Sequence, residues 1–273
     1  MNIAQALAHA KTLGLEHLQA QTLLLHTLGR DPHDRAWLLL HDKDEPSLGI
    51  LEAFYALVQR RLQNEPIAYL TGSQDFHGLN LVVDPRVLVP RPDTETLVDW
   101  ALSLGQENAK VLDLGTGSGA IALALQHARP SLSVTAVDAS ADALLVASGN
   151  AQALSLRVNF VHGNWFAPLQ GRFDLIVSNP PYIAEGDPYL PALHAEPRQA
   201  LVSGVDGLDD IRHIIEQAPS HLNSGAWLLL EHGFDQAAAV CDKLAQRGFV
   251  QVQSRVDLAG IKRCSGGQWP EVK

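Results

Sequence analysis

Val111-Leu112-Asp113-Leu114-Gly115-Thr116-Gly117-Ser118-Gly119 is the stretch on which the fold turns. Its first four residues are mostly apolar and read as a buried strand. Three glycines at alternate positions follow, and residues 118–126 have the composition of a helix. Glycine is needed where a backbone must turn tightly and admit a ligand without a Cβ in the way. The helix that follows offers unbonded N–H groups at its start. A strand, a glycine loop and a helix in that order open an α/β unit.

Downstream the alternation continues. Apolar runs at 134–137, 158–161, 173–177 and 227–230 and an alternating run at 250–256 predict strands. Residues 141–153, 211–222 and 235–246 predict helices. Repeated βαβ order implies a doubly wound, mostly parallel sheet with helices on both faces, assigned to residues 95–273. Upstream the pattern differs. Ile3, Leu7, Ala10 and Leu13, then Leu18, Thr22, Leu25 and Leu28, recur at helical spacing. Gly29-Arg30-Asp31-Pro32 breaks them, with Asp31 the expected N-cap, and 48–62 form another amphipathic helix ended near Glu65-Pro66. Residues 1–75 are therefore expected to be a small helical domain that docks the substrate. Residues 76–94 are expected to be a linking β-hairpin: Leu79, Leu81 and Val83 alternate, Asp84-Pro85 turns, and Val87-Leu88-Val89 returns. Asp93 or Thr94 is the expected cap of the next helix.

The 273 residues are 46% hydrophobic and 18% charged, which excludes a disordered chain. No apolar run approaches the roughly 18 residues of a membrane span. The first residues lack the basic and apolar regions of a secretion signal. Two cysteines with no CxxC pair support neither a disulfide framework nor zinc, and no metal is expected. A cytoplasmic monomer is the expectation. The net charge is −10, and Arg60-Arg61 and Lys262-Arg263 are the adjacent basic pairs. Proteins that bind phosphate backbones carry a basic surplus or stripe, so stable nucleic-acid binding is not expected.

Taken alone, the glycine loop leaves its ligand open. Gly115, Gly117 and Ala120 satisfy the dinucleotide pattern, and Asp138, at the end of the second strand, suits ribose hydroxyls with either a dinucleotide or S-adenosylmethionine. The fourth strand ends in Ser178-Asn179-Pro180-Pro181-Tyr182. Carboxyl ends of parallel strands border the ligand crevice, so this segment should face the glycine loop. Asn179 Oδ1 and the Pro180 carbonyl are adjacent acceptors for the two N–H groups of a planar amino nitrogen. Pro180 and Pro181 stiffen the loop, and Tyr182 offers a flat face for a planar amide or base. That combination suits methyl transfer to a nitrogen whose lone pair is delocalised.

The run 112–120 resembles motif I of class I S-adenosylmethionine-dependent methyltransferases. With Pro90-Arg91-Pro92-Asp93-Thr94-Glu95, Gly163-Asn164-Trp165-Phe166, residues 178–183, Glu196-Pro197-Arg198, 204–208, Leu229-Leu230-Glu231-His232-Gly233 and Asp257-Leu258-Ala259-Gly260, the chain resembles the HemK-type N5-glutamine methyltransferases. The resemblance implies S-adenosylmethionine as cofactor. It also implies, as substrate, the glutamine of the Gly-Gly-Gln motif of class 1 peptide chain release factors. It assigns Gly115, Thr116, Gly117, Ser118, Gly119, Asp138, Trp165 and Asn179 to the cofactor; Asp113 either faces the methionine ammonium, the reading preferred beside this loop, or is a structural acid at the strand end. Asn179, Pro180, Pro181 and Tyr182 would bind the glutamine amide, with Asn179, Pro180 and Tyr182 catalytic. Asn164 stands where the family often has an acid, so an adenine contact there is left open. Arg91 and Glu95 either close over the site or staple the linker, and Glu231 and His232 are expected to be structural. Gly266-Gly267-Gln268 copies the substrate tripeptide and is taken as coincidence.

Three other readings stand against this one. An N6-adenine methyltransferase uses the same tetrad on a flipped base, but the acidic balance opposes it. An NAD-dependent oxidoreductase leaves the tetrad unexplained, and a cofactor-sensing binding protein leaves it unused.

Overall fold

The computed structural model describes residues 1–105 and 107–271. The chain divides into two compact units, one of residues 1–73 with 192–195, the other of 74–191 with 196–273.

The first unit holds five helices: α1 Ile3–Thr12, α2 His17–Thr27, α3 Arg35–Leu40, α4 Leu48–Leu62 and α5 Ile67–Thr71. Asn2 and Gln5 form a reciprocal capping box at the start of α1. The cap of α3 is Asp34, whose side chain accepts from Trp37 N–H. The expected cap, Asp31, instead accepts from His33 N–H in a local turn. The expected stripe on α2 is also corrected. Leu18 is 50% exposed, while Leu23, Leu24 and Leu25 are fully buried. The cause is packing on several sides, because α2 touches α1, α3, α4 and α5, and a surrounded helix buries more than one stripe.

The hairpin pairs β1 Ser73–Phe76 with β2 Leu79–Val82. Its turn lies at His77-Gly78, not Asp84-Pro85. Both residues have positive φ (48° and 77°), as the tightest hairpin turns require. Val87 and Val89 are buried without joining a strand, and Asp84 holds the bend by accepting from Arg86 N–H.

The second unit is built on a seven-stranded sheet of order β5-β4-β3-β6-β7-β9-β8. The strands are β3 Lys110–Leu114, β4 Ser133–Asp138, β5 Asn159–His162, β6 Phe173–Ser178, β7 Leu222–Glu231, β8 Val250–Val256 and β9 Lys262–Gln268. Neighbours from β5 to β7 pair in parallel, and β9 is antiparallel to both β7 and β8. The doubly wound, mostly parallel class I methyltransferase architecture is thus present, with α6 Glu95–Ser103, α7 Ala120–Ala128, α8 Ala141–Ala153, α9 Asp209–Gln217 and α10 Ala237–Arg247 around the sheet. Side chains alternate between two cores. Val111, Val177 and Leu229 pack with α6 and α7, whereas Leu112, Ile176 and Leu228 pack with α9 and α10.

One strand escaped the sequence reading. β9 reads Lys-Arg-Cys-Ser-Gly-Gly-Gln, with no apolar alternation, yet it lies between β7 and β8. Its glycines are steric necessities. A Cβ on Gly266 would come within 2.5 Å of a Leu229 methyl, and one on Gly267 within 2.9 Å of Phe249 Cβ. The Gly-Gly-Gln copy is therefore part of a sheet. The Gln268 amide donates to Gly225 O at 2.8 Å and accepts from Gln251 at 2.6 Å.

Candidate active site

Strand register assembles the site. Leu114 pairs with Val137 on one side and with Ser178 on the other, and Ser178 pairs with Leu230. The next residues along these four strands, Gly115, Asp138, Asn179 and Glu231, therefore stand in one row at the carboxyl edge. The Ser178 hydroxyl reinforces the alignment by donating to Leu114 O at 2.7 Å. This is the edge at which open α/β sheets bind ligands.

The glycine loop leaves β3 with Gly115, Gly117 and Gly119 all at positive φ (72°, 55° and 86°). Gly119 N-caps α7, so that helix begins at Ala120 rather than at 118. Gly115 and Thr116 N–H groups both donate to Val137 O. The Asp138 carboxylate accepts Gly117 N–H and Ser140 N–H, each at 2.8 Å, which ties loop and strand end together. Burial pushes the Asp138 carboxyl upward, and those two backbone amides oppose the rise. Asn150 on α8, which the sequence did not single out, donates to Ser118 O and Val82 O and accepts Val82 N–H. It joins the loop to the hairpin.

A cavity of about 220 Å³ opens beside this row. Of the sequence-assigned residues, Gly115, Gly117, Asp138, Trp165, Asn179 and Pro181 line it, as does Asn164. Trp165 has φ 48°, and its ring lies 3.4 Å from where a Cβ on Gly115 would sit. Thr116, Ser118, Gly119, Pro180 and Tyr182 do not line the cavity. Thr116 and Ser118 are buried in the loop, and a Cβ on Gly119 would meet Leu123 at 3.0 Å and Ala147 at 3.2 Å. Sequence reasoning missed two walls, one of Arg86, Val87 and Leu88 and one of Pro197, Gln199 and Ala200, together with Asp210. The first was read as a strand. The second shares Pro197 with the Glu196-Pro197-Arg198 motif, to which the sequence assigns no role of its own.

Asp113 requires a correction. It is fully buried and not on the cavity wall; its Oδ2 accepts the Thr116 hydroxyl at 2.6 Å, and Oδ1 has no partner among the described residues. It anchors the loop from beneath instead of facing a ligand. Burial pushes its carboxyl from 3.8 to about 7, the Thr116 hydroxyl opposes that, and the Asp138 charge adds to it.

Around the tetrad, Asn179 Nδ2 donates to Thr94 Oγ1 at 3.2 Å. Thr94 holds the N-cap position of α6, but its side chain makes no cap bond. The Tyr182 hydroxyl lies 3.4 Å from Glu231 Oε1, and its carbonyl accepts from Gln236. Burial and the Glu231 charge raise the Tyr182 hydroxyl well above its usual range. Glu231 is 1% exposed. Burial pushes its carboxyl up to about 7, with Thr94, Tyr182 and Arg263 opposing and Asp93 adding. Arg91 pairs with the buried Glu196, whose other oxygen accepts Val89 N–H at 3.1 Å, and Glu95 accepts His77 N–H at 2.9 Å. Both residues thus staple the linker. His232 faces Ser265 and Gly233 O and is structural; burial lowers its pKa. No cluster of metal-ligating side chains occurs among the described residues.

Comparison with known proteins agrees with this geometry. Residues 94–204 match the methyltransferase small domain, and residues 2–72 match the PrmC N-terminal domain. A Release factor glutamine methyltransferase of Bordetella pertussis is 50% identical over 260 residues, covering 93% of this chain and 95% of that protein. Its namesake in Xylella fastidiosa is 47% identical over 271 residues, covering 97% and 98%. Among solved structures, a methyltransferase from Pyrococcus furiosus superposes with TM-score 0.57 at 22% identity, covering 78% of this chain and 98% of that one, a likeness of fold. With near-complete coverage at about half identity, the chain belongs to the release factor glutamine methyltransferase family.

Proposed function

We infer that the chain transfers a methyl group from S-adenosylmethionine to the side-chain amide nitrogen (N5) of the glutamine in the Gly-Gly-Gln motif of class 1 peptide chain release factors. The observation that carries this reading is the common row of strand ends, where the tetrad stands beside a glycine-walled cavity in a chain whose relatives bear that name.

The residues present fit the cofactor. A Cβ on Gly117 would meet no protein atom within 4 Å and would intrude on the cavity, so the glycine keeps room for a ligand. Asp138 spends one bond per oxygen on backbone amides, leaving lone pairs for hydroxyl donors. Trp165 offers an apolar ring to a base. We assign cofactor binding to Gly115, Thr116, Gly117, Ser118, Gly119, Asp138, Trp165 and Asn179. The walls contribute directly, while Thr116, Ser118 and Gly119 shape the loop.

When bound, the cofactor would supply a methyl carbon activated by a positively charged sulfur, which would depart as the neutral thioether of S-adenosylhomocysteine as the C–S bond breaks. An amide nitrogen is a weak nucleophile because its lone pair is delocalised into the carbonyl. Asn179 Oδ1 and the Pro180 carbonyl accept its two N–H groups and hold the remaining lone-pair density on line, so positioning and electrostatics supply the rate. Pro181 stiffens the loop and Tyr182 packs on the substrate amide. The surplus proton leaves to water after methylation. We propose residues 1–75 as the docking module for the release factor, and a cytoplasmic monomer without stable nucleic-acid binding as the working form.

The test pairs acceptors with a variant. Labelled cofactor should mark release factor and not DNA. Asn179→Ala should lose on the order of 10²–10³-fold in methyl transfer, the range for removing one stabilising group, while calorimetry shows cofactor binding retained. Retained activity in that variant, or preferential labelling of DNA, overturns the reading.

A further inference from the structure

An asparagine amide is nearly symmetric in shape but not in chemistry. One end accepts hydrogen bonds and the other donates them, and a half-turn about the last bond exchanges the two. If Asn179 is to accept an N–H from the substrate, something must hold its oxygen outward. We propose that Thr94, backed by Glu231, is a positioning residue that fixes which way round the Asn179 amide sits. The inference rests on the proposed role of Asn179.

Two hydrogen bonds and one buried neighbour carry it. Asn179 Nδ2 donates to Thr94 Oγ1 at 3.2 Å. Thr94 is 3% exposed, and its backbone N–H donates to Arg91 O at 3.1 Å, within the linker that Glu196 staples through Arg91 and Val89. The hydroxyl is therefore held in place and shielded from water. Its other neighbour is the Glu231 carboxyl, whose Oε1 faces the Tyr182 hydroxyl and whose buried Oε2 has no other donor among the described residues, which leaves that oxygen to the Thr94 hydroxyl beside it.

The polarity of the chain then follows. A carboxylate only accepts, so a hydroxyl facing it turns its single hydrogen that way. Thr94 Oγ1 is left with lone pairs alone toward Asn179. The asparagine must present its NH₂ to Thr94 and its oxygen to the other side. The reversed amide would set a carbonyl against those lone pairs and an NH₂ against the substrate N–H, a repulsion at both ends.

Several polar and titratable groups surround Glu231. Asp93 and Thr94 precede α6, Tyr182 comes from the tetrad, and Arg263 and Cys264 from β9. Arg263 is shared between Asp93 and Asp257, each at 3.2 Å, so its charge is only partly available to Glu231. Arg91 reaches the Tyr182 side of the group. The carboxyl ionises near pH 7. Below that pH it no longer demands the Thr94 hydrogen, and the amide loses its bias.

Thr94→Val removes the hydroxyl at nearly constant volume, and Thr94→Ser restores it. The measurements are kcat and KM for release factor as a function of pH, cofactor affinity by calorimetry, and thermal melting. Thr94→Val should lower kcat about tenfold, the loss of one hydrogen bond of ordinary strength, with cofactor affinity unchanged. Thr94→Ser should recover most of that rate. The decline of kcat below about pH 7 should be present in the parent and absent from Thr94→Val and Glu231→Gln. In an Asn179→Ala background Thr94→Val should add nothing, because the group it positions is gone. A Thr94→Val enzyme within twofold of the parent overturns the proposal, as does equal damage in the serine variant or a full multiplicative loss in the double variant. An active Asn179→Ala instead defeats the underlying role of Asn179, so the two failures are distinguishable.

Discussion

Asp113 stores a pH-dependent destabilisation beneath the glycine loop, and its size follows from the structure. The carboxyl is fully buried, keeps one hydrogen bond from Thr116, and ionises near 7 instead of 3.8. A group whose pKa is raised on folding binds more protons in the native state than in the unfolded one. Its stabilising contribution is complete below about pH 4 and is lost as pH rises through about 7. Integrated from pH 5 to pH 8, this single group should cost the folded protein about 2.5 kcal/mol. Asp113→Asn keeps an acceptor for Thr116 and cannot ionise. Urea unfolding of parent and variant at pH 5, 6, 7 and 8 should give a stability difference that moves in the variant's favour by that amount, with equal m-values. Taking the difference removes the contributions of His232, whose lowered pKa acts in the opposite sense, and of Glu231. A difference that stays flat with pH would refute the assignment of a buried, ionising carboxyl at this position.

Two further outcomes test other parts of the site. Gly207→Ala should destabilise the protein by more than about 1 kcal/mol and lower kcat, because φ is +73° and the new Cβ would lie 2.2 Å from Tyr182 O; thermal melting and steady-state kinetics read both effects. Asp138→Ala should weaken cofactor binding at least tenfold by calorimetry, since it removes both a loop tie and the acid on the cavity wall; unchanged affinity contradicts its assigned role.

What the sequence made legible was whatever local pattern determines. The glycine loop, the alternation of strands and helices, and the tetrad at a strand end are each written in neighbouring residues, and Gly115, Gly117, Asp138, Trp165, Asn179 and Pro181 do meet at one cavity. What escaped depends on partners distant in the chain. β9 has no apolar period because its two glycines answer to Leu229 and Phe249, not to one another. The hairpin turned at His77-Gly78 because a non-glycine residue accepted positive φ, while Asp84-Pro85 looked the stronger turn. Asp113 reads locally as either a ligand acid or a structural one, and only its strand position, which directs it to Thr116, decides between them. Thr94 read as a helix cap, and Glu231 as mere structure, because nothing local reveals that register sets residues 179 and 231 on one edge and that the linker lays residue 94 against them.

The place of β9 also orders the birth of the molecule. β8 leaves the ribosome first but has no neighbour in the sheet except β9, which follows it and separates it from β7. Until residues 262–268 emerge, β7 keeps a bare edge rich in leucine, the kind of surface that recruits other chains. β8 and β9 are joined by only a short connection, so the two can pair locally and dock together as the final act of sheet closure. Because Arg263 and Cys264 arrive on that same strand, the surroundings of Glu231 are completed only then. A chain cut short before β9 would thus be both adhesive and inactive.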